Sequence, residues 1–273
     1  MKRKLLSLLL LLFSCISLFS QNGKVNEDSI RFKDKYVFIN FVKLKDTNIS
    51  VANLTGKIKP SSDPNFVEAD PEYAKYPLIF IREEVYIAFI KMFYAALHDC
   101  INLSIVSGFR NFDSQRLIWE TKWKGEKKVN EKLNASNITD PLERASLILL
   151  SSAMPGTSRH HWGTDIDINS VEIDYWKTQK GIKVYKWLQK NALKFGFCQP
   201  YNNLDSERKI GYQDELWHWS FVPLSLVYMR QYKQKVKHSD INGFPASDLA
   251  EKLSVIENYV LIISTDCFFC VKY

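Results

Sequence analysis

Two short stretches far apart in the chain, Ser158-Arg159-His160-His161-Trp162-Gly163-Thr164-Asp165-Ile166-Asp167 and Glu215-Leu216-Trp217-His218, supply three ligands of the kind zinc takes and one spare carboxylate. Catalytic zinc usually takes three nitrogen or oxygen ligands from the protein and keeps a fourth position for water, whose pKa it lowers toward neutrality. His160, Asp167 and His218 suit the ligand roles. Glu215, three residues before a ligand, suits a general base that reaches metal-bound water without binding the metal. Each half alone is weak, because His-x6-Asp is also the pattern of a helix cap and a satisfied polar residue, and Glu-x-x-His occurs on many helices. Both occur here in a chain with only five histidines. Two imidazoles and a carboxylate also suit iron or cobalt, with zinc the better fit to hydrolysis. A third stretch, Ser107 to Gln115, places Arg110 just after an expected strand.

These residues resemble a known family. The VanY-type zinc D-alanyl-D-alanine carboxypeptidases, grouped with lysostaphin-like peptidases and the hedgehog signalling domain, show Ser-Gly-Tyr-Arg-Ser-x-x-x-Gln, Ser-x-His-x-x-Gly-x-Ala-x-Asp and Glu-x-Trp-His. Here the three read SGFRNFDSQ, SRHHWGTDID and ELWH in the same order, within residues 77–223. The resemblance implies His160, Asp167 and His218 as zinc ligands and Glu215 as catalytic base. It also implies Arg110 as partner of the substrate's terminal carboxylate, and Gln115 and Ser158 as contacts to the terminal residue's backbone. The choice of His160 over the adjacent His161 rests on the family spacing alone. Phe109 and Asn111 replace tyrosine and serine, a mild change. Asp165 replaces a small alanine, a larger one.

Strand geometry bears on that departure. Residues i and i+2 of a strand share a face, so Asp165 and Asp167 point one way while Ile166 and Ile168 point into the core. Asp165 is then either a carboxylate serving the site, by accepting from a ligand histidine or binding a substrate ammonium, or a solvated surface group. In a strand from Trp217 to Val222, His218, Ser220 and Val222 share one face, and Trp217, Trp219 and Phe221 form an aromatic face that reads as core. Glu215 must therefore sit in the loop entering that strand, where the backbone can turn it back toward the metal.

The chain opens with Met1-Lys2-Arg3-Lys4 and an apolar run from Leu5 to Phe13, the pattern of a signal peptide over residues 1–20 and too short for an ordinary membrane span. Cys15 offers a rival route, lipidation after cleavage by a lipoprotein-type peptidase. Either route exports the protein to the periplasm or cell envelope. Loss of Lys2, Arg3 and Lys4 with the leader takes the net charge from +7 to +4. No dense basic run with interleaved aromatics appears, which argues against nucleic acid; the mild positive charge suits an anionic cell-wall polymer. Cys100, Cys198, Cys267 and Cys270 remain after ordinary cleavage and allow three pairings in an exported chain. Cys267-x-x-Cys270 reads as buried thiols or a local bridge.

Residues 21–76 form a polar lead-in without sustained periodicity, expected to wrap the core or lie partly disordered. Val85, Phe89, Met92, Phe93 and Ala96 recur at helical spacing within Arg82 to Asp99. A strand is expected from Leu103 to Ser107, and a helix over 113–124 with Trp119 and Trp123 on one side. Asp140-Pro141-Leu142-Glu143 has an N-cap acid and proline at the first helical position, so a helix follows to about Ser152. Further helices are expected over 182–195 and 224–236, and an edge strand from Tyr259 to Ser264. Helices and short strands at uneven spacing favour an α+β fold, a small mainly antiparallel sheet carrying the zinc site and flanked by helices. Residues 77–223 would form the carboxypeptidase domain and 224–273 an extension packed on it. The function expected is hydrolysis of the C-terminal D-alanine of peptidoglycan stem peptides, by a monomer. The alternatives are an L,D-carboxypeptidase, a crosslink endopeptidase, or a non-catalytic zinc module that binds cell wall.

Overall fold

The computed structural model describes residues 29–32, 35–38, 48–129, 133–202 and 210–268. The expectations for residues 1–20, including Cys15, and for Cys270 lie outside the described residues. Among the described residues no helix is long and apolar enough to cross a membrane.

The strands, in chain order, are β1 (Ser29–Phe32), β2 (Lys35–Phe38), β3 (Phe66–Glu68), β4 (Phe80–Arg82), β5 (Ile105–Ser107), β6 (Asp165–Ile168), β7 (Phe197–Cys198) and β8 (His218–Phe221). The helices are α1 (Val51–Leu54), α2 (Glu83–His98), α3 (Phe112–Lys124), α4 (Pro141–Leu149), α5 (Ile173–Lys177), α6 (Gln179–Asn191) and α7 (Val222–Lys235). The central sheet has the order β5-β6-β8-β7 and is antiparallel throughout, and β1-β2 and β3-β4 are separate antiparallel pairs. The fold is α+β, as expected.

Alternation along β6 and β8 decides which side of the sheet becomes core. Ile166, Ile168, Trp219 and Phe221 join Val85, Phe89, Met92 and Ala96 of α2 and Val184, Trp187 and Leu188 of α6 in one buried cluster. Burial of each large side chain contributes about 1.5–3 kcal/mol, so this face anchors the sheet and leaves the opposite face to polar groups. Helix boundaries follow local caps. Asp140 accepts from the N–H groups of Leu142 and Glu143 at the start of α4, and Asn111 accepts from Ser114 at the start of α3. Helix α6 begins three residues before its expected start because the Thr178 hydroxyl accepts from Gly181 N–H.

The expected lead-in is more ordered over residues 48–76 than its polarity suggested. Ile49, Leu54, Phe66, Ala69, Tyr73 and Ala74 are buried, β3 pairs with β4, and Ala74 bridges Ile105. A second cluster joins α3, α4, α7 and the tail, with Trp119, Ile148, Trp162, Tyr232, Val255 and Val260 fully buried. The expected edge strand from Tyr259 to Ser264 does not form. Ile256–Val260 makes a π-helical turn that buries Ile256 and Val260, and Ser264 N–H donates to Pro200 O.

Cys198 on β7 is bonded to Cys267, with Cα atoms 5.6 Å apart. The local Cys267–Cys270 bridge is thereby excluded, because Cys267 turns inward to a cluster with Tyr201, Tyr212 and Ile263. Cys100 is exposed and free. The cross-link closes a loop of 69 residues, so opening it by Cys267→Ser should cost about 2–4 kcal/mol. Urea unfolding with and without reductant checks this; overlapping curves for wild type would show that the bond adds nothing.

Candidate metal centre

Strand register builds the site. In the antiparallel β6–β8 pair, Asp167 stands opposite His218 and Asp165 opposite Ser220, and the two-residue period puts all four side chains on the face away from the apolar cluster. His160 arrives from a tight turn, Arg159–Trp162, whose N-terminus is capped by the Ser158 hydroxyl accepting from His160 N–H. The β3–β4 hairpin braces that turn: Arg82 donates from its backbone to Gly163 O at 3.1 Å and from Nε to Trp162 O at 2.8 Å.

Ligand atoms of His160, Asp167 and His218 all lie within 4.8 Å of one another, and the three residues are buried. Asp167 Oδ1 is 3.4 Å from His160 Nε2 and 3.3 Å from His218 Nδ1. That oxygen is buried without a hydrogen-bond partner, a costly state for a carboxylate unless a cation shares the site. The other ring nitrogens are committed elsewhere: His160 Nδ1 donates to Gly108 O at 2.8 Å, and His218 Nε2 donates to Asp165 Oδ2 at 3.0 Å. These partners fix the tautomers and turn His160 Nε2 and His218 Nδ1 toward Asp167. Two imidazole lone pairs and an orphaned carboxylate oxygen, with no thiolate among them, fit a divalent metal of the zinc type.

The structure also separates the two adjacent histidines. His161 Nδ1 donates to Arg110 O at 2.6 Å and its Nε2 accepts from Gly156 N–H at 3.0 Å, so both nitrogens serve the backbone. Burial pushes its pKa down to about 3, keeping the ring neutral. A Cβ at Gly56, where φ is +73°, would collide with this imidazole.

Asp165 is fully buried and not solvated. It accepts from Arg159 Nε at 2.9 Å, Thr164 Oγ1 at 2.6 Å, Ser220 Oγ at 3.0 Å and His218 Nε2. Burial alone would raise its pKa, but the Arg159 guanidinium and these bonds hold it well below the usual carboxylate range. Its acceptor capacity is filled by protein, so it orients His218 and leaves nothing for a substrate ammonium. Arg159, fully buried and also bonded to Ser220 Oγ at 2.7 Å, is a supporting residue that motif reading passed over. The signal was present in the sequence: a carboxylate on a buried strand requires a cation, and Arg159 is the arginine within that motif.

Glu215 lies in the loop before β8, with Oε2 3.5 Å from His218 Nδ1 and a side chain 16% exposed. Burial pushes its pKa up to about 7, His218 pulling the other way, which suits proton transfer near neutrality. Arg110 is held by Gln115 Oε1 (2.9 Å) and Ser107 Oγ (3.2 Å), and its Nη2 is 4.0 Å from Asp167 Oδ2. Gln115 is buried and donates to Ala153 O at 2.8 Å. Its amide is engaged at both ends, so it braces Arg110.

The profile of the VanY family, described as D-alanyl-D-alanine carboxypeptidase, matches residues 78–224, more than half of the chain. The chain belongs to the VanY family of carboxypeptidases. It is a VanY-family carboxypeptidase of cell-wall peptides. Among its relatives, the inferred carboxypeptidase YodJ of Bacillus subtilis (strain 168) is 29% identical over 220 residues, covering 74% of this chain and 71% of YodJ. A D-alanyl-D-alanine carboxypeptidase of Enterococcus faecalis (strain V583) is 31% identical over 136 residues, 48% of this chain and 44% of that protein. The solved structure of VanYB in complex with D-alanine-D-alanine is 25% identical, with a TM-score of 0.46 over 65% of this chain and 87% of that one.

Asp165→Asn should weaken metal binding by about 10–100-fold, the usual effect of removing a histidine's outer partner. Competition between the VanY-family protein and a chromophoric chelator for Zn2+ checks it. Affinity within a factor of two of wild type would show that His218 needs no such support.

Proposed function

We propose that this chain is an exported, zinc-dependent D-alanyl-D-alanine carboxypeptidase that removes the C-terminal D-alanine of peptidoglycan stem peptides. The observation that carries the reading is the buried, partnerless Asp167 Oδ1 between His160 Nε2 and His218 Nδ1, with Glu215 beside it. His160, Asp167 and His218 would hold the ion. When bound, zinc supplies a Lewis acid for the scissile carbonyl and a water of lowered pKa.

The remaining work belongs to the chain's own side chains. Glu215 takes the proton of the attacking water and passes it to the departing amine. Arg110, with its guanidinium 24% exposed beside the ligand cluster, pairs with the terminal carboxylate of the substrate and makes the enzyme an exopeptidase. Gln115 and Ser107 fix that guanidinium, while Ser158 lines the approach of the terminal residue at the cap of the His160 turn. The presence of Glu215 argues against a non-catalytic zinc module, since a structural site has no use for a base next to a ligand. The Cys198–Cys267 bond supports export, because disulfides persist in oxidising compartments.

Zinc-loaded protein should release one D-alanine from a synthetic pentapeptide stem, read by mass spectrometry. Loss from a tetrapeptide stem alone would make it an L,D-carboxypeptidase, and cleavage of neither would point to a crosslink endopeptidase or a binding module. Glu215→Gln should lower kcat by at least ~100-fold with zinc stoichiometry unchanged; near-normal turnover would remove Glu215 from its role.

A further inference from the structure

Among the described residues, one buried cation serves neither this chemistry nor the bracing of its turn and strands. Lys122 sits two turns after Gln115 on α3 and is only 7% exposed. Its ammonium donates to Ser152 Oγ at 2.6 Å and Ser151 Oγ at 3.2 Å, and it forms no ion pair with a described carboxylate. Both hydroxyls donate elsewhere, Ser152 to Ser151 O and Ser151 to Val129 O, so they turn lone pairs to the lysine and orient it. An ammonium has three donors, and among the described residues the third has no acceptor. Two neutral hydroxyls do not neutralise a desolvated charge, and an apolar side chain of similar length would fill the space without that cost.

The place of this charge in the fold gives it a use. The segment carrying Ser151 and Ser152 is tied on one side to the arginine pocket, through Gln115 Nε2 to Ala153 O at 2.8 Å. On the other side Gln213 N–H donates to Leu150 O at 3.0 Å, two residues before Glu215. Lys122 therefore stands on the wall that joins Arg110 to Glu215. Burial, with Lys127 and Arg110 adding to it, pushes its pKa down to about 8, while Glu215 pulls the other way. The residue is still charged at neutral pH.

We propose that Lys122 is a second cationic anchor for the carboxylate of the substrate's terminal residue, forming with Arg110 a two-cation subsite that selects peptide acids. The inference rests on the carboxypeptidase reading above. A carboxylate has lone pairs for more than one donor, and among the described residues no carboxylate pairs with the second cation before a peptide acid is bound. A charge kept at a cost to stability and spent on binding is a common trade at functional sites.

The test uses two probes whose scissile amide is N-methylated to block turnover: acetyl-D-alanyl-N-methyl-D-alanine and its C-terminal carboxamide. Calorimetry on the metal-loaded wild type should show the acid bound at least about tenfold more tightly than the amide. Lys122→Met should reduce that preference about tenfold, leave amide binding within about a factor of two, and melt no lower than wild type. Lys122→Gln, which keeps a donor for the serines, should behave the same way and serves if the methionine variant does not fold. An unchanged acid-to-amide ratio, or equal weakening of both probes, overturns the inference. If wild type still cleaves a D-Ala-D-Ala peptide in that case, the inference fails alone. If wild type neither binds the probes nor cleaves the peptide, the carboxypeptidase reading fails and takes the inference with it.

Discussion

Two carboxylates two residues apart on one buried strand set the terms for the rest of this molecule. Asp165 and Asp167 are both desolvated on the same face of β6, and a buried charge is tolerated only when paired and hydrogen-bonded. The fold compensates the two differently. Asp165 receives a guanidinium, two hydroxyls and an imidazole N–H, and is thereby satisfied within the protein. Asp167 faces two imidazole nitrogens whose protons lie on their far sides, and one of its oxygens is left without a donor. The first arrangement is complete; the second calls for a cation. One strand thus carries both a candidate metal ligand, Asp167, and the group that orients His218.

The scaffold keeps these positions by backbone as much as by side chain. Arg110 N–H donates to His160 O at 3.1 Å, and Arg110 O accepts from His161. Arg110 and His160 are therefore parts of one hydrogen-bonded frame, closed further by Gly108 O on His160 Nδ1. Segments remote in sequence hold that frame. At Gly56, just after α1, a side chain would collide with the His161 ring, and Trp162 is fully buried with its Nε1 donating to Leu54 O at 3.1 Å. Residues before the family match thus support the geometry of residues within it.

Much of this was legible because periodicity and caps are local. The buried face of α2, the Asp140 cap of α4 and the two faces of β6 and β8 each follow from a few neighbouring residues. The loop position of Glu215 followed from the same facing rule. What escaped was set by partners distant in sequence. The β3–β4 hairpin has three-residue strands, too short for alternation to register. Cys198 pairs with a cysteine 69 residues away, a connection no spacing encodes. Tyr259 to Ser264 has the apolar content of a strand, yet Ser264 is claimed by Pro200 O and the preceding turn stays helical. The burial of Lys122 is not written in its helix, because it depends on the segment at Ser151 and Ser152 that packs against it.

The central claim is that His160, Asp167 and His218 together bind a catalytic zinc ion. X-ray absorption at the zinc edge of the loaded protein tests it most directly. One ion per chain is expected, with only nitrogen and oxygen neighbours at about 2.0–2.2 Å and the outer-shell scattering of two imidazoles. A sulfur neighbour at about 2.3 Å, or a shell without imidazole, would place the metal elsewhere and contradict the account.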